Sequence, residues 1–553
     1  MKCRPNFHLN KSHSRASISN RISFAVFTAV FRKYNLIRGV HMFCEVLSAG
    51  ISGISAYGVT VECDVSGGLP GFSMVGLLSS EVREAKERVI RAIYNSGFDF
   101  PARKITVNLS PANIKKQGSG YDLPIAVGVL MGIGLINPNA VKGRIFIGEL
   151  SLDGRINRVN GILPITIMAA DMGIKEIIVP EANVFEGEAE ERVKIYGART
   201  LSELVKDLNH GLKGADSKIN LKSLLSDPSK TAEPDFCEVS GQIKAKRATM
   251  IAASGFHNLL YIGPPGSGKS MMAKRIPSIL DPMTPEECLE VSAIYSVMGL
   301  LKKDSLNLTR PYRAPHHSIS GAALYGSVRN MTPGEMTLAH RGVLFLDEIG
   351  EFNRDVIERL REPLENKEVV ITGTNGSITL PADFMLVCAT NPCKCGFYPD
   401  RRFCSCTETE VSKYIGKIKG PILDRIDICV SVNKVEINEL YNKEENISSE
   451  IMRRKVAAAR EIQKERFKDL PVNFNSQMSK KETDEFCPLS DKNRRILDRA
   501  YEKYNLSARG YVKVLKTART IADLEGSEEI KSEHILEAIG YRNTYLTGGG
   551  EQK

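Results

Sequence analysis

The feature that most constrains this chain is the octapeptide Gly263-Pro264-Pro265-Gly266-Ser267-Gly268-Lys269-Ser270. It satisfies the phosphate-binding pattern G-x-x-x-x-G-K-[ST] at every fixed position. The apolar run Asn258–Ile262 before it reads as a buried strand, and Met271–Ile276 after it reads as the start of a helix. That strand–loop–helix setting is the one the motif needs. Glycines turn successive backbone N–H groups into one concavity, and the helix N-terminus adds positive potential there. Lys269 then reaches the β- and γ-phosphates of ATP, and Ser270 holds Mg²⁺.

Two later apolar runs complete the set. Gly342-Val343-Leu344-Phe345-Leu346 suits a central parallel strand covered on both faces, and it ends in Asp347 and Glu348. Open α/β sheets bind ligands at that end of a strand. Asp347 is placed to hold Mg²⁺ with its water shell, and Glu348 to polarise the attacking water. Met385–Thr390 is a third buried run, ending in Asn391-Pro392. Asn391 would stand beside the γ-phosphate in the sensor-1 role. The fold class expected is α/β, a P-loop core with its parallel sheet between helices.

Composition excludes several classes. The chain of 553 residues is long enough for three or four domains, and no run of about 20 apolar residues is present to span a membrane. Net charge is +10, which invites a nucleic-acid reading. Eight Lys/Arg lie in residues 1–41, however, with no Asp or Glu, so the remainder carries only +2. Most of the 12 cysteines sit singly in apolar runs, as Cys63, Cys388 and Cys429 do. Small buried thiols beside a nucleotide motif point to a reducing cytoplasm.

Residues 1–41 read as a disordered or spurious extension, with Met42 as the natural start. Residues 42–212 read as an α/β domain: Val59–Val65 alternates like a strand, Ser79 or Ser80 caps a helix to about Ser96, and Lys104–Leu109 alternates again. An apolar helix is expected over Ile125–Leu135 and a strand over Lys175–Pro180. This stretch resembles the Lon-protease-type fold, related to domain 2 of ribosomal protein S5. The resemblance implies a Ser–Lys dyad, yet Gly120 occupies the nucleophile's position, one place after Ser119. No lysine stands near Gly161-Ile162-Leu163-Pro164. A non-proteolytic scaffold is therefore expected, followed by a linker over 213–235.

The motor core is assigned to 236–435. Its leading helix carries Lys244, Lys246 and Arg247 on what reads as a basic face beside the adenine pocket. One insertion, Arg310–Met336, reads as a loop or hairpin. Another, Glu368–Leu380, carries Asn375-Gly376 between β-branched runs, a strong hairpin signal. Such projections line the pore in ring ATPases. Cys393-Lys394-Cys395 and Cys404-Ser405-Cys406 offer four thiolates for Zn²⁺, the alternative being four free thiols. In Leu423-Asp424-Arg425-Ile426-Asp427, Arg425 is the candidate arginine finger for a neighbour's γ-phosphate, against a plain surface ion pair. Residues 436–546 read as a helical lid and 547–553 as a tail. The lid's Ser449–Phe467 reads as a long basic helix with a solvated face, and Arg509 stands at a helix start, where the macrodipole disfavours a cation and a phosphate partner would explain it.

The array GPPGSGKS, YRAPHHS, LAHRGVLFLDEIGEF, NPCKCGFYPD and LDRID resembles the Mg-chelatase-like AAA+ family called YifB or ComM. With the Lon-type domain in front, the resemblance covers nearly all of 43–545. It implies a homo-oligomer, hexameric by type, that drives helicase or branch-migration work on single-stranded or branched DNA during natural transformation. It makes Arg509 the sensor-2 arginine. The pattern departs at Tyr325–Met331, which bears on DNA contacts in that loop. The rival readings are a metal-insertion motor subunit like that of magnesium chelatase, a binding module that uses ATP only as a switch, and a protein remodeller with an inactive protease-like domain.

Overall fold

The structure is a computed structural model that describes residues 42–212, 219–225, 234–329, 331–373, 376–416, 422–434 and 447–542. The expected extension 1–41 and tail 547–553 lie outside these, as does most of the linker. The contacts divide the chain into two compact units. One runs to Leu221 and takes in Ser292–Leu306; the other comprises Lys222–Val291 and the chain from Asn307 onward.

The first unit is built on a seven-stranded mixed sheet. Its strands are β1 (Met42–Ser52), β2 (Ser55–Ser66), β3 (Gly71–Val75), β4 (Lys104–Ser110), β5 (Arg144–Phe146), β6 (Glu176–Pro180) and β7 (Lys194–Ala198), in the order β3-β4-β2-β1-β5-β6-β7. In β2 the alternation turns Val59, Val61, Cys63 and Val65 inward. The helix Ser80–Asn95 begins where Ser79 Oγ accepts from the Val82 amide at 3.4 Å, and it buries Val82, Ala85, Val89 and Ile93. The apolar helix starts at Asp122, earlier than expected, and ends at Gly132 with every residue buried. Asp122 is tolerated there because Arg88 Nε donates to its carboxylate at 2.7 Å and the Leu150 amide at 3.1 Å. Burial nevertheless lifts its pKa to about 6 against the pull of Arg88.

Ser292–Leu306, expected within the motor core, packs in this first unit. Gly161 N donates to Ser296 O at 3.1 Å, Arg158 Nη2 to Leu301 O at 2.9 Å, and the Ser296 hydroxyl to the Glu186 carboxylate. These bonds join residues more than a hundred positions apart, so no local pattern announces them.

The second unit holds a five-stranded sheet of β8 (Leu259–Ile262), β9 (Tyr312–Arg313), β10 (Val343–Leu346), β13 (Met385–Thr390) and β14 (Ile428–Ser431). A separate hairpin pairs β11 (Glu368–Gly373) with β12 (Gly376–Pro381). The sheet order is β9-β10-β13-β8-β14 and every pairing is parallel. The strands β8, β10 and β13 therefore release the chain at one edge, just before Gly263, Asp347 and Asn391. β14, which holds Cys429, was read only as an apolar run and not as a strand of this sheet.

Helices Ser449–Arg466, Lys480–Phe486, Asp491–Lys503, Ala508–Leu524 and Ser532–Gly540 form the lid. Their buried faces, with Val456, Leu497, Ile521 and Ile535, join the core's Ile251, Leu259 and Met272 in one apolar cluster. Two basic stretches differ from expectation. In Ser449–Arg466 the face is only partly solvated: Arg460 is buried with its guanidinium 3.8 Å from the Phe474 ring, and Arg466 donates to Asp523 Oδ2 at 2.7 Å. In the helix Ile243–Gly255, Lys246 is buried and donates to Val239 O, while Arg247 pairs with Glu525 and Glu537 of the lid. These two cations bond protein groups and do not form an open basic face.

Candidate nucleotide site

The phosphate loop springs from β8 and ends in the helix Lys269–Arg275. Gly263 is held so close to the next strand's exit that a Cβ there would lie 2.0 Å from Val432 O. Gly266 and Gly268 have φ of 75° and 91°, the left-handed region, and a Cβ on either would project into open space above the loop. The loop they shape is the candidate phosphate cradle. Ser267 Oγ beside it is buried and has no hydrogen-bond partner among the described residues, a donor awaiting an acceptor. Gln242, which sequence reasoning passed over, braces the loop by donating to Ser267 O at 3.3 Å and Asn433 O at 2.6 Å.

Lys269 lies across the cradle. Its Nζ donates to Gly263 O at 2.7 Å, Pro264 O at 2.9 Å and Asn391 Oδ1 at 3.2 Å. Burial lowers its pKa below the ordinary lysine value, with Asp347 and Glu348 pulling the other way. Ser270 Oγ donates to Asp347 Oδ2 at 2.6 Å. This pair of hard oxygens, one hydroxyl and one carboxylate, suits Mg²⁺, which takes a few protein oxygens and keeps its waters. Asp347 Oδ1 accepts from the Glu348 amide at 3.0 Å. Glu348 itself is exposed and has φ of 50°, a strained setting for a non-glycine residue of the kind that clusters at working sites. Lys269, Ser270, Asp347, Glu348 and Asn391 thus meet at one edge of the sheet. The residues present fit ATP with Mg²⁺: Gly263–Ser270 and Lys269 would hold the phosphates, and Ser270 with Asp347 the metal.

Arg425 and Arg509 stand elsewhere. Arg425 precedes β14, at the end of the sheet opposite Gly263, and its carbonyl accepts from Asn258 Nδ2 at 2.8 Å. Its guanidinium is buried against Glu365 Oε1. Arg509 Nη1 lies 3.1 Å from the same oxygen. Glu365, in the helix Arg361–Asn366, belongs to no motif, and only the fold brings the two arginines to it.

At the protease-like positions of the first unit, Ser119 Oγ donates to the Glu149 carboxylate. Lys116 is fully buried and donates to Pro111 O and Ile114 O. Gly161 caps the helix Ile162–Asp171.

Comparison with known proteins gives the family. The family described as magnesium chelatase, subunit ChlI, matches residues 235–440; subunit ChlI of Mg-chelatase matches 61–183; and its C-terminal family matches 446–542. The competence protein ComM of Haemophilus influenzae is 39% identical over 502 residues, 90% of this chain and 97% of that one. The chain belongs to the ComM/YifB family. YifB of Salmonella typhimurium is 38% identical over 89% of this chain and 95% of its own length. Lon protease 2 of Bacillus subtilis shares 28% identity over 195 residues, 31% of this chain and 35% of that protein. As a ComM/YifB protein the chain is a Mg-chelatase-like AAA+ protein, with a P-loop core, a helical lid and a Lon-like α/β unit in front. Among the described residues no helix is long and apolar enough to cross a membrane.

Proposed function

We propose that this protein is an Mg²⁺-dependent ATPase that assembles into a ring, with a hexamer as the expected form, and moves single-stranded or branched DNA in the cytoplasm. Lys269 and the loop amides bind the phosphates, Asp347 and Ser270 hold Mg²⁺, and Glu348 activates water while Asn391 positions it. Arg425 serves a neighbouring subunit's nucleotide, and Arg509 acts as the sensor-2 arginine. The Lon-type unit acts as a scaffold without peptidase activity.

The observation that carries the polymer-motor reading is the union of the two insertions. Tyr325 Oη donates to Val370 O at 3.2 Å, and a Cβ on Gly373 would lie 3.1 Å from Val328 Cγ1. The hairpin is therefore packed against the Tyr325–Val328 stretch of the Arg310–Met336 insertion, whose Tyr312–Arg313 stays in the central sheet. Val328 and Arg329 are exposed on the insertion, an apolar contact and a phosphate-seeking cation side by side. Nucleotide-driven motion of the core would carry the packed pair along a strand.

DNA-stimulated ATP turnover tests the reading. Single-stranded DNA and a four-way junction should each raise turnover, and the junction should be resolved only with ATP and Mg²⁺. Turnover indifferent to both, with no strand displacement, would turn the reading toward a metal-insertion motor or a protein remodeller.

A further inference from the structure

The motor reading leaves the four clustered cysteines unused. Cys393, Cys395, Cys404 and Cys406 each offer a sulfur within 4.8 Å of the others. The separations are 3.3 Å for Cys393–Cys395, 3.5 Å for Cys395–Cys404 and 3.8 Å for Cys393–Cys404. Four sulfurs at about 2.3 Å from one tetrahedral ion would stand about 3.8 Å apart. The spacing leaves room for a single ion and is too tight for a multi-iron cluster. Cys393, Cys404 and Cys406 are buried, and the Tyr398 amide points at Cys393 Sγ, 3.4 Å away. An N–H aimed at sulfur is how proteins settle a metal-bound thiolate.

The loop's position gives the site a consequence. Cys393 follows Asn391 by two residues, and Asn391 is bonded to Lys269. Within the loop, Gly396 has φ of 89°, and a Cβ on it would lie 2.4 Å from Pro265 Cδ. The loop thus touches the nucleotide site twice, through Asn391 and against Pro265 of the phosphate loop.

We propose that Cys393, Cys395, Cys404 and Cys406 bind one structural Zn²⁺ that braces Asn391 and the phosphate loop. All four positions are filled by protein sulfur, so the metal has no open place for substrate and takes no part in hydrolysis. Soft thiolates select zinc over the hard Mg²⁺ held at Ser270 and Asp347. Only the bracing role rests on the motor reading; occupancy of the site does not.

Two measurements decide it. Full-length protein purified without chelators should carry about one zinc per chain by plasma mass spectrometry. A mercurial thiol reagent should release that zinc as four thiols are consumed, and Cys237→Ser, at an exposed cysteine outside the cluster, should retain it. A chain with no metal and four freely reactive thiols, or with iron in place of zinc, overturns the proposal. Cys395→Ser/Cys406→Ser should lose the zinc; if that variant does not fold, release from the wild-type chain still decides. For the brace, Gly396→Ala should keep its zinc yet bind a fluorescent ATP analogue more weakly, because a side chain there both strains the left-handed backbone and meets Pro265. Unchanged binding in that variant refutes the brace. Zinc present in a chain that never hydrolyses ATP would leave the metal site standing and remove the motor.

Discussion

Lys269 Nζ donates to Asn391 Oδ1 across 3.2 Å, tying the end of β13 to the loop that follows β8. The contact joins a phosphate-binding cation to a neutral amide 122 residues later. On the proposed function, an entering γ-phosphate would draw Lys269 to it and leave the Asn391 amide to orient water.

Removing each group should therefore fail differently. Lys269→Ala should abolish ATP turnover and weaken binding, because the cradle loses its charge. Glu348→Gln should bind ATP and hold it unhydrolysed, since water loses its base. Asn391→Ala should keep ATP affinity within a few-fold while turnover falls about 10²–10³-fold, the cost of losing one oriented polar group. Phosphate release with fluorescent-nucleotide titration separates the three. Retained turnover in Lys269→Ala and Glu348→Gln would remove the site assignment.

Arg425 makes a different prediction. Every strand of its sheet is parallel, Leu259 pairs with Ile428, and β8 carries Gly263 at its far end. Four strand residues at about 3.3 Å each put Ile428 about 13 Å from the level of Gly263, and Arg425 comes before Ile428, on the side away from the phosphate loop. As the proposed arginine finger it would therefore serve a neighbour's phosphate, with Glu365 as its partner meanwhile. Arg425→Ala alone should lower turnover about 10³–10⁵-fold, as loss of an arginine finger does, with ATP affinity kept. Mixing Arg425→Ala with Lys269→Ala should restore part of the turnover, because some junctions then pair an intact loop with an intact arginine. No recovery on mixing would make Arg425 a structural ion pair with Glu365.

The sequence made some of this legible and hid the rest for physical reasons. The strands before Gly263, Asp347 and Asn391 announced themselves, because a central parallel strand must be apolar throughout and its working residue must follow at once. The helix Ser80–Asn95 was legible from its cap and one buried stripe. Glu365 was not, because a carboxylate that meets two distant arginines leaves no spacing to read. Lys246, Arg247, Arg460 and Arg466 misled for a related reason: charge alone does not say whether a cation faces water or a buried acceptor. Ser292–Leu306 sits between two motor motifs in the chain, and only long-range hydrogen bonds give it to the first unit.

The pair of half-buried Lys513 with buried Asp427 predicts how the lid is fastened. Lys513 Nζ lies 2.7 Å from Asp427 Oδ1, and the Asn258 amide donates to Asp427 Oδ2 at 2.8 Å. Burial would raise this carboxyl, but Lys513 and then His257 outweigh it and hold its pKa well below the usual carboxylate range. A depressed folded pKa gives stability that is whole above the unfolded value of about 3.9 and is lost as pH falls below it. Lys513→Ala should cost about 3–5 kcal/mol in chemical unfolding at neutral pH, since it strands a buried charge. Adding Asp427→Asn should recover part of that loss. An additive double variant would show that the pair is not coupled.

The Lon-like unit yields the last prediction. A serine nucleophile needs a base to take its proton, and in the Ser–Lys arrangement a lysine amine does so. Here the Ser119 hydroxyl is spent on Glu149, whose other oxygen accepts from Asn157 Nδ2 at 3.3 Å. Lys116 is turned to the carbonyls of Pro111 and Ile114. Gly120, at the position the dyad's serine would take, has no side chain to offer. The full-length protein with ATP and Mg²⁺ should leave casein and fluorogenic peptides intact, and a fluorophosphonate probe should not label it. Ser119→Ala should match the wild type in both assays and in ATP turnover. Cleavage that disappears in Ser119→Ala would make the unit a working peptidase with Glu149 as its base.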